Sequence, residues 1–464
     1  MGGKRTKNKK GKLELDKLSN LPSDVTEQIL SYLPIRDAVR SSVLSSKWRH
    51  KWATLRRLVF DDKTAIRCVI ERVIDHVLLL HEGPVDTFKL STGKYIKTAE
   101  FDRWILYLSR FSVKEFILEK GTSSCIDNIS SHLFSYKDLT HLGLKNCSLK
   151  PPLTFKGFAM LKSLDIRNVI VAKDVLEKII VGCPLLETMR ILCDLVSNTH
   201  LKIDAPNLQF LKVRGVFEEI KLQNTPNLVD VSIDPKMASR SRSYSKLLLY
   251  FLSLPRIERL TIDGCLLEVR KENKAAAGEQ ATNWLNNNRL WEFTQLRRLK
   301  VTGLYGVTGE VDLLEYLFLS SPALQELEIS FRDKMGMGLD AAAVGDYSNR
   351  NCTFNQLRVI KVTKFRGVKA EAGFIGFLLS SSPMLKTMTL QPASTEVSWE
   401  VLKVVTEFKR DSGHAELKLL DPLSPLRESY NGSYTDRYLR TKASSYDSSD
   451  ESLDDSSDES LDDD

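Results

Sequence analysis

The sequence predicts an α/β protein in which a short helical module is followed by a curved solenoid of parallel strands and helices. Three observations predict it: amphipathic helical stretches between Leu18 and Phe60, an aliphatic hexapeptide that recurs ten times from residue 139 to residue 390, and a change to polar, finally acidic composition after residue 420.

The helical module comes first. LSNLPSDVTEQILSYLP opens with Pro22, offers Ser23 or Asp24 as N-cap, and places Glu27 in the first turn. Val25, Ile29, Leu30 and Leu33 then fall on one helical face. Pro34 ends this helix, and Asp37 is placed to cap a second, AVRSSVLSSKWRHKW, in which Val43, Leu44, Trp48 and Trp52 recur at helical spacing. Two such helices cannot bury two tryptophans and a leucine stripe between themselves. Part of that surface needs a partner, either the rest of the chain or another protein.

Beyond about residue 85 the period changes. The pattern L-x-x-L-x-L, with aliphatic substitutes, reads Leu139-Leu142-Leu144, Leu161-Leu164-Ile166, Leu186-Met189-Ile191, Leu208-Leu211-Val213 and Leu228-Val231-Ile233. It continues as Ile257-Leu260-Ile262, Leu296-Leu299-Val301, Leu324-Leu327-Ile329, Leu357-Ile360-Val362 and Leu385-Met388-Leu390. The first five copies start 22, 25, 22 and 20 residues apart, the spacing of a leucine-rich repeat. One copy, LTHLGLKNCSL, also has the Asn-Cys step that follows the strand of that motif. Each unit predicts one short strand with its aliphatic residues inward, sharing a core with its stacked neighbours. A single such hexapeptide arises in any amphipathic element; the series is what carries weight. Later starts widen to 29, 39, 28, 33 and 28 residues, and the excess lies in polar stretches at 235–246, 270–288 and 332–351 that read as inserted loops, the second with room for a short helix.

Composition narrows the function classes. Apolar residues are 42% and charged residues 27%, as in an ordinary globular protein. No apolar run approaches membrane-spanning length, and the N-terminus MGGKRTKNKKGK has no apolar stretch behind its charges, so neither a membrane span nor a secretory signal is expected. The seven cysteines, at 68, 125, 147, 183, 193, 265 and 352, form no CxxC pair, which fits a reducing compartment, nucleus or cytoplasm. The sequons at Asn128, Asn146, Asn351 and Asn431 are therefore expected to carry no sugar. The net charge of +7 hides an asymmetry: residues 447–464 hold ten acidic and no basic residues, so the rest carries 67 bases against 50 acids, six of the bases within the first twelve residues. A body this weakly basic suits acidic partners but is not a nucleic-acid footprint, and no nucleic acid is expected as partner.

Catalytic signatures do not emerge. HExxH, GxSxG and Walker A loops are absent from the sequence. The histidines at 50, 76, 81, 132, 141, 200 and 414 show no ligand spacing, and Gly303, Gly306 and Gly309 fit a turn between repeats rather than a dinucleotide loop. No catalytic residue, metal or cofactor is expected.

The helical module, LPSDVTEQILSYLPIRDAVRSSVLSSKWRHKW, resembles the F-box of plant proteins, from its Leu-Pro opening to its V-L-S-x-K-W-R-x-x-W ending. GCPLLETM, SSPALQELEI and SSPMLKTMTL resemble the S-x-P-x-L-x-x-L phrasing of plant F-box repeat proteins, and the stretch from about Cys352 to Leu420 is similar to the FBD module that closes many of them. The resemblance divides the chain into a basic disordered tail (1–15), an F-box (16–62), a leucine-rich-repeat solenoid (85–345), an FBD-like end of the solenoid (350–420) and a disordered segment, acidic at its end (421–464). It implies a non-catalytic receptor of an SCF-type ubiquitin ligase, in which the F-box docks a Skp-type adaptor, the adaptor is attached to a cullin, and the repeats hold an unknown protein target. The positions matching the F-box are Leu21, Pro22, Ile29, Leu30, Leu33, Pro34, Val43, Leu44, Trp48 and Trp52. Packing against the first repeat is the competing role for these, above all for Leu44 and Trp52.

Within each hexapeptide the residues between the inward aliphatics point to the opposite face, because strand side chains alternate. That places His141 with Lys145, Asp165 with Arg167, and Phe210, Lys212 and Arg214 on the expected target face. Arg259 with Asp263, Arg298 with Lys300, Glu326 with Glu328, and Lys361 follow. The bland alternative is a solvated charged surface. Phe210, an aromatic flanked by cations, suits an acidic and partly apolar target segment. The basic N-terminus is open to three readings: a solvated tail, a nuclear-import patch, or an N-myristoylated anchor, since Gly2 and Thr6 satisfy M-G-x-x-x-[ST]. In the acidic tail Ser448, Ser452, Ser456 and Ser460 each have an acid three residues on, the preference of acidophilic kinases. Two rival readings use the same scaffold: a small-molecule, hormone-like receptor with a basic pocket near Arg259, Arg298 and Lys300, and an interaction scaffold without a ligase role.

Overall fold

The computed structural model describes residues 21–62, 69–121, 128–193, 200–217, 219–235, 251, 254, 256–266, 293–304, 314–315, 317–332, 353–394, 405 and 411–422. Both tails, with Gly2, Thr6, Ser448, Ser452, Ser456 and Ser460, and nearly all of the three polar insertions lie outside the described residues. The chain forms two compact units, Met1–Val171 with Gly182–Leu185, and Ala172–Val181 with Leu186–Asp464.

The first unit begins with helices α1 (Ser23–Tyr32) and α2 (Ile35–Arg40), followed by single 3-10 turns at Ser41–Val43 and Lys51–Thr54. Then come β1 (Arg57–Asp61), α3 (Ile70–Leu80), β2 (Thr87–Thr92), α4 (Thr98–Leu108), β3 (Glu115–Lys120), β4 (His141–Lys145), β5 (Ser148–Leu149), β6 (Ser163–Arg167) and β7 (Ile170–Val171). Strands β1, β2, β3, β4 and β6 pair side by side in parallel, and β5 pairs with β7. The pattern expected from about residue 85 in fact begins at Leu55. Leu55-Leu58-Phe60, Val85-Phe88-Leu90 and Val113-Phe116-Leu118 are three further copies in which phenylalanine stands for leucine. Their rings form an interior column, Phe60 to Phe88 at 5.8 Å and Phe88 to Phe116 at 5.7 Å, the second pair stacked. Tyr136 closes it edge-on at 5.9 Å from Phe116 and donates its hydroxyl to the Ile105 carbonyl at 2.9 Å.

The second unit contains α5 (Lys173–Val181), β8 (Thr188–Cys193), β9 (His200–Asp204), β10 (Phe210–Gly215), β11 (Glu219–Gln223), β12 (Asp230–Pro235), β13 (Arg259–Asp263) and β14 (Arg298–Leu304). It continues with β15 (Glu326–Phe331), β16 (Val359–Phe365), α6 (Lys369–Ser380), β17 (Thr387–Pro392) and β18 (Glu416–Leu419). Strands β8, β10, β12, β13, β14, β15, β16, β17 and β18 pair in that order, all parallel, while β9 pairs with β11. In every hexapeptide the second and third aliphatic residues lie in a strand and are buried, which is the expected inward face. The starts of β10, β12, β13, β14, β15, β16 and β17 are fixed by a recurring device: two successive N–H groups donate to one carbonyl of the preceding repeat. Gln209 and Phe210 share the Glu187 carbonyl at 2.8 and 3.0 Å, and Arg297 and Arg298 share that of Glu258 at 2.9 and 3.0 Å. This pins the register, so equivalent residues of successive repeats stand in rows across the sheet.

A buried ion pair anchors α6. Glu371, in its first turn, is fully buried and accepts the Arg366 backbone N–H at 2.8 Å and its guanidinium at 2.6 Å. Burial pushes the Glu371 carboxyl above its ordinary range, and Arg366 pulls it back. Arg366→Met should cost about 3–5 kcal/mol at neutral pH by leaving that carboxylate uncompensated. With the cation gone the folded-state pKa rises further above the unfolded value, so the folded state holds the extra proton and stability falls as pH rises between the two. The loss should therefore shrink as the pH is lowered toward the ordinary glutamate range, which urea unfolding at neutral and mildly acid pH would show.

Candidate functional site

The N-terminal module differs locally from its expected shape, and the difference decides which side chains it offers. The N-cap of α1 is Pro22, held extended at ψ 151°, and neither Ser23 nor Asp24 caps it. Thr26 ties the first turn instead, its hydroxyl donating to the carbonyls of Pro22 and Ser23 at 2.9 and 2.8 Å. Pro34 likewise precedes α2, so Asp37 sits inside the first turn, favourable to the helix dipole but not a cap. The expected long second helix breaks after Arg40. Its serines cause this: Ser41 and Ser42 donate back to the carbonyls of Ala38 and Val39 at 2.6 and 2.5 Å, competing with the helical ladder.

The break separates four residues that were expected to share a helical stripe. Trp48 and Trp52 turn into the first unit and are buried, whereas Val43 and Leu44 stand 86% and 56% exposed. On α1 the stripe also splits. Leu30 and Thr26 are interior, while Val25, Ile29, Tyr32 and Leu33 face solvent. Leu21 is half-buried, and Pro22 and Pro34 are exposed. Of the expected adaptor contacts, Leu30, Trp48 and Trp52 are buried within the chain. Pro22, Ile29, Leu33, Pro34, Val43 and Leu44 remain available on the surface, with Leu21 partly so. Tyr32, 79% exposed, was missed by sequence reasoning. Its signal is the spacing Val25-Ile29-Tyr32, one helical stripe of its own. The module is lashed to itself by Lys51, whose ammonium meets Glu27 at 3.4 Å and the Ser23 hydroxyl.

Six bulky apolar side chains, Val25, Ile29, Tyr32, Leu33, Val43 and Leu44, therefore face water within twenty consecutive residues. Scattered exposed aliphatics are ordinary on any surface; this concentration on one small module makes it the candidate interaction site.

The repeat face is a different kind of surface. Residues expected there do point away from the aliphatic core, but most of their charges are engaged laterally. In the first unit Asp165 holds Arg167 through two bonds of 2.9 and 2.7 Å, with Glu119 3.7 Å away, and these carboxylates raise the guanidinium pKa further. His141 is exposed, and its Nδ1 lies 2.9 Å from the Thr140 hydroxyl, which donates to the Lys114 carbonyl. In the second unit Arg214 pairs with Asp234 at 3.1 Å and Arg259 with Asp230 at 2.8 Å. Arg298 pairs with Glu326 at 2.9 Å, and Lys300 with Glu328 at 3.0 Å, the latter also 3.6 Å from Lys361. Asp263 is buried and held by Arg332 at 3.3 Å and the Cys265 N–H at 3.0 Å. The cations that a pocket for a small acidic ligand would draw on, Arg259, Arg298 and Lys300, each already face a carboxylate. Phe210 remains 40% exposed with the Arg259 guanidinium 5.9 Å from its ring centre, and Lys212 is exposed two residues on. Sequence reasoning missed Asp230 and Asp234 as partners; setting Leu228-Val231-Ile233 in register with Leu208-Leu211-Val213 puts them opposite Phe210 and Arg214.

Reactive groups are scarce among the described residues. Burial pushes the thiols of Cys147 and Cys183 up to about 12 and about 11, so both stay protonated and poorly nucleophilic near neutrality. Among the described residues no cluster of His, Cys, Asp and Glu could hold a metal ion, and no helix is long and apolar enough to cross a membrane.

Comparison with known proteins agrees with this division. Residues 18–60 match the family model of the F-box domain, and residues 101–249 match that of the LRR repeats of FBD-associated F-box protein At5g56370. The chain is 35% identical over 427 residues to the F-box/FBD/LRR-repeat protein At1g13570 of Arabidopsis thaliana, covering 87% of this chain and 98% of the relative. It is 25% identical over 452 residues to the FBD-associated F-box protein At5g56370 of the same plant, covering 87% and 99%. With an F-box of exposed apolar side chains, a parallel ladder of leucine-rich repeats and a relative matched along nearly its whole length, the chain belongs to the F-box/FBD/LRR-repeat family.

Proposed function

We propose that the protein is the substrate-recognition subunit of an SCF-type ubiquitin ligase: its F-box docks a Skp-type adaptor, which links it to a cullin, and its repeats hold a protein target. The observation that carries this is the cluster Val25, Ile29, Tyr32, Leu33, Val43 and Leu44, apolar and exposed on the module that matches the F-box. A helical partner that covers these side chains gains the free energy of removing them from water, about 25 cal/mol per Å² of apolar area. The chain's own part in ubiquitin transfer is then proximity. Held beside a charged ubiquitin carrier, target lysines react at a high effective concentration, with no chemical step performed by this chain.

Co-purification of the full-length chain with a plant Skp-type adaptor and cullin, beside a Leu21→Ala/Pro22→Ala version, tests the proposal. Leu21 and Pro22 form the approach to α1, whose first turn hangs on the Pro22 carbonyl. The wild type should retain both partners and the double variant should lose them; a wild-type chain that retains neither withdraws the ligase assignment.

A further inference from the structure

We propose that the outward face of β8, β10 and β12 is the docking surface for a protein segment that carries acidic residues around an aromatic one. This deepens the reading of the repeats as the target-holding part and rests on it.

Register places the relevant side chains in rows. Thr188, Phe210 and Asp230 stand side by side in one row, Arg190, Lys212 and Ser232 in the next, and Leu192, Arg214 and Asp234 in the third. Strands β8 and β10 thus present Arg190, Lys212 and Arg214 outward and no acid. Arg190 and Lys212 are direct lateral neighbours, an arrangement of like charges that works against the sheet it sits on. On this face Arg214, Arg259, Arg298 and Lys300 are each answered by a carboxylate of the neighbouring strand, Asp234, Asp230, Glu326 and Glu328. Among the described residues nothing pairs with the Lys212 ammonium.

Phe210 sits beside these cations, and Arg259 lies over its ring while bonded to Asp230. That ion pair holds Phe210 in a defined place next to the cationic row. A rigid aromatic with charges at its rim is the composition of an interface anchor. An aromatic side chain of the partner stacks on Phe210 and Arg259, and a flanking carboxylate meets Lys212. The two acids of β12, Asp230 and Asp234, disfavour a continuous phosphate backbone across the same rows. A peptide, whose charges are discrete, avoids them and offers N–H donors to them. A protein segment is therefore the better fit than nucleic acid.

Fluorescence anisotropy with the full-length chain tests this surface, with a short fluorescein-labelled peptide of Asp and Glu around one central Phe as probe. The same peptide with Ala for Phe, an oligothymidylate, and a peptide copying residues 447–464 are the comparisons. Lys212→Glu should weaken binding of the Phe probe about tenfold or more, and Phe210→Ala about fivefold. Lys418→Glu, the same charge change at an outward position of β18, should leave binding unchanged. Circular dichroism melts identical to wild type show that the variants are folded, as expected for exposed positions; Lys212→Gln, with a smaller loss than Lys212→Glu, adds a second reading of the charge. Equal affinity of wild type, Lys212→Glu and Phe210→Ala overturns the proposal. So does absence of probe binding, or tighter binding of oligothymidylate with the same losses. Equal binding of the Ala peptide or the 447–464 peptide also overturns it, because charge alone then suffices. Adaptor capture by the same preparations separates the two readings. Capture without probe binding removes this surface and leaves the F-box assignment; probe binding without capture does the reverse.

Discussion

Leu33→Asp combined with Leu44→Asp should lower affinity for a Skp-type adaptor about a thousandfold and leave the melting temperature within about 2 °C of wild type. Both leucines face water, Leu33 at the end of α1 and Leu44 just past the 3-10 turn that follows α2. Neither contributes to the buried core of the module, which is built from Leu30, Ile35, Ala38, Trp48 and Trp52. In a docked complex each leucine acts as an apolar anchor, and loss of two such anchors at about 2 kcal/mol each gives the thousandfold. Burial of a new carboxylate adds to the penalty. Isothermal titration with the purified adaptor reads the affinity and a thermal melt reads the fold. Separation of the two effects is the informative part, because a core residue of this module would move both together.

A large expected effect on stability lies at a place where two loops of the first unit touch. Gly157 has φ +117°, a backbone conformation that glycine adopts freely and other residues do not. A methyl group on Gly157 would run into the Gly182 carbonyl oxygen, and one on Gly182 into the Lys156 carbonyl oxygen. Both obstacles are backbone, so no rotamer change relieves them. Gly157→Ala combines this overlap with left-handed strain and should cost about 4 kcal/mol. Gly182→Ala has the overlap alone and should cost about 2 kcal/mol. Gly413, where an added methyl meets nothing, serves as the comparison, and Gly413→Ala should stay within about 0.5 kcal/mol of wild type. Urea denaturation of the three variants checks the ranking.

How much of this was legible in the sequence depends on which physical signal each feature carries. The strands β4 to β17 that carry the repeat ladder were legible because leucine spacing reports burial directly, and each of the ten hexapeptides became a strand. The copies at Leu55, Val85 and Val113 were not, because phenylalanine replaced leucine and the ring column of Phe60, Phe88 and Phe116 does the packing there. The short ladders of β5 with β7 and β9 with β11 were missed for another reason: two to five residues carry too little periodicity to stand out. The F-box motif was legible as a motif, but not the side of it that faces out. Helical periodicity assigned Leu30, Trp48 and Trp52 to the same face as the surface residues, because a stripe says only that residues lie together. The serine back-bonds at Ser41 and Ser42, which break the second helix, are a local competition that a periodicity count does not weigh. On the repeat face the outward direction of each charge was legible from alternation, whereas its partner was not. Arg214, Arg259, Arg298 and Lys300 find carboxylates one strand away and 20 to 29 residues distant in sequence, and only the register brings them together.

The central claim is that a helical adaptor covers the exposed apolar side chains of the N-terminal module, and amide hydrogen exchange of the full-length chain with and without a Skp-type adaptor tests it most directly. The account predicts that saturating adaptor slows exchange in the segment from Leu21 to Leu44 and leaves the amides of β8 to β18 at their free rates. Protection on the repeat strands with none between Leu21 and Leu44, or no protection anywhere at saturating adaptor, would contradict it.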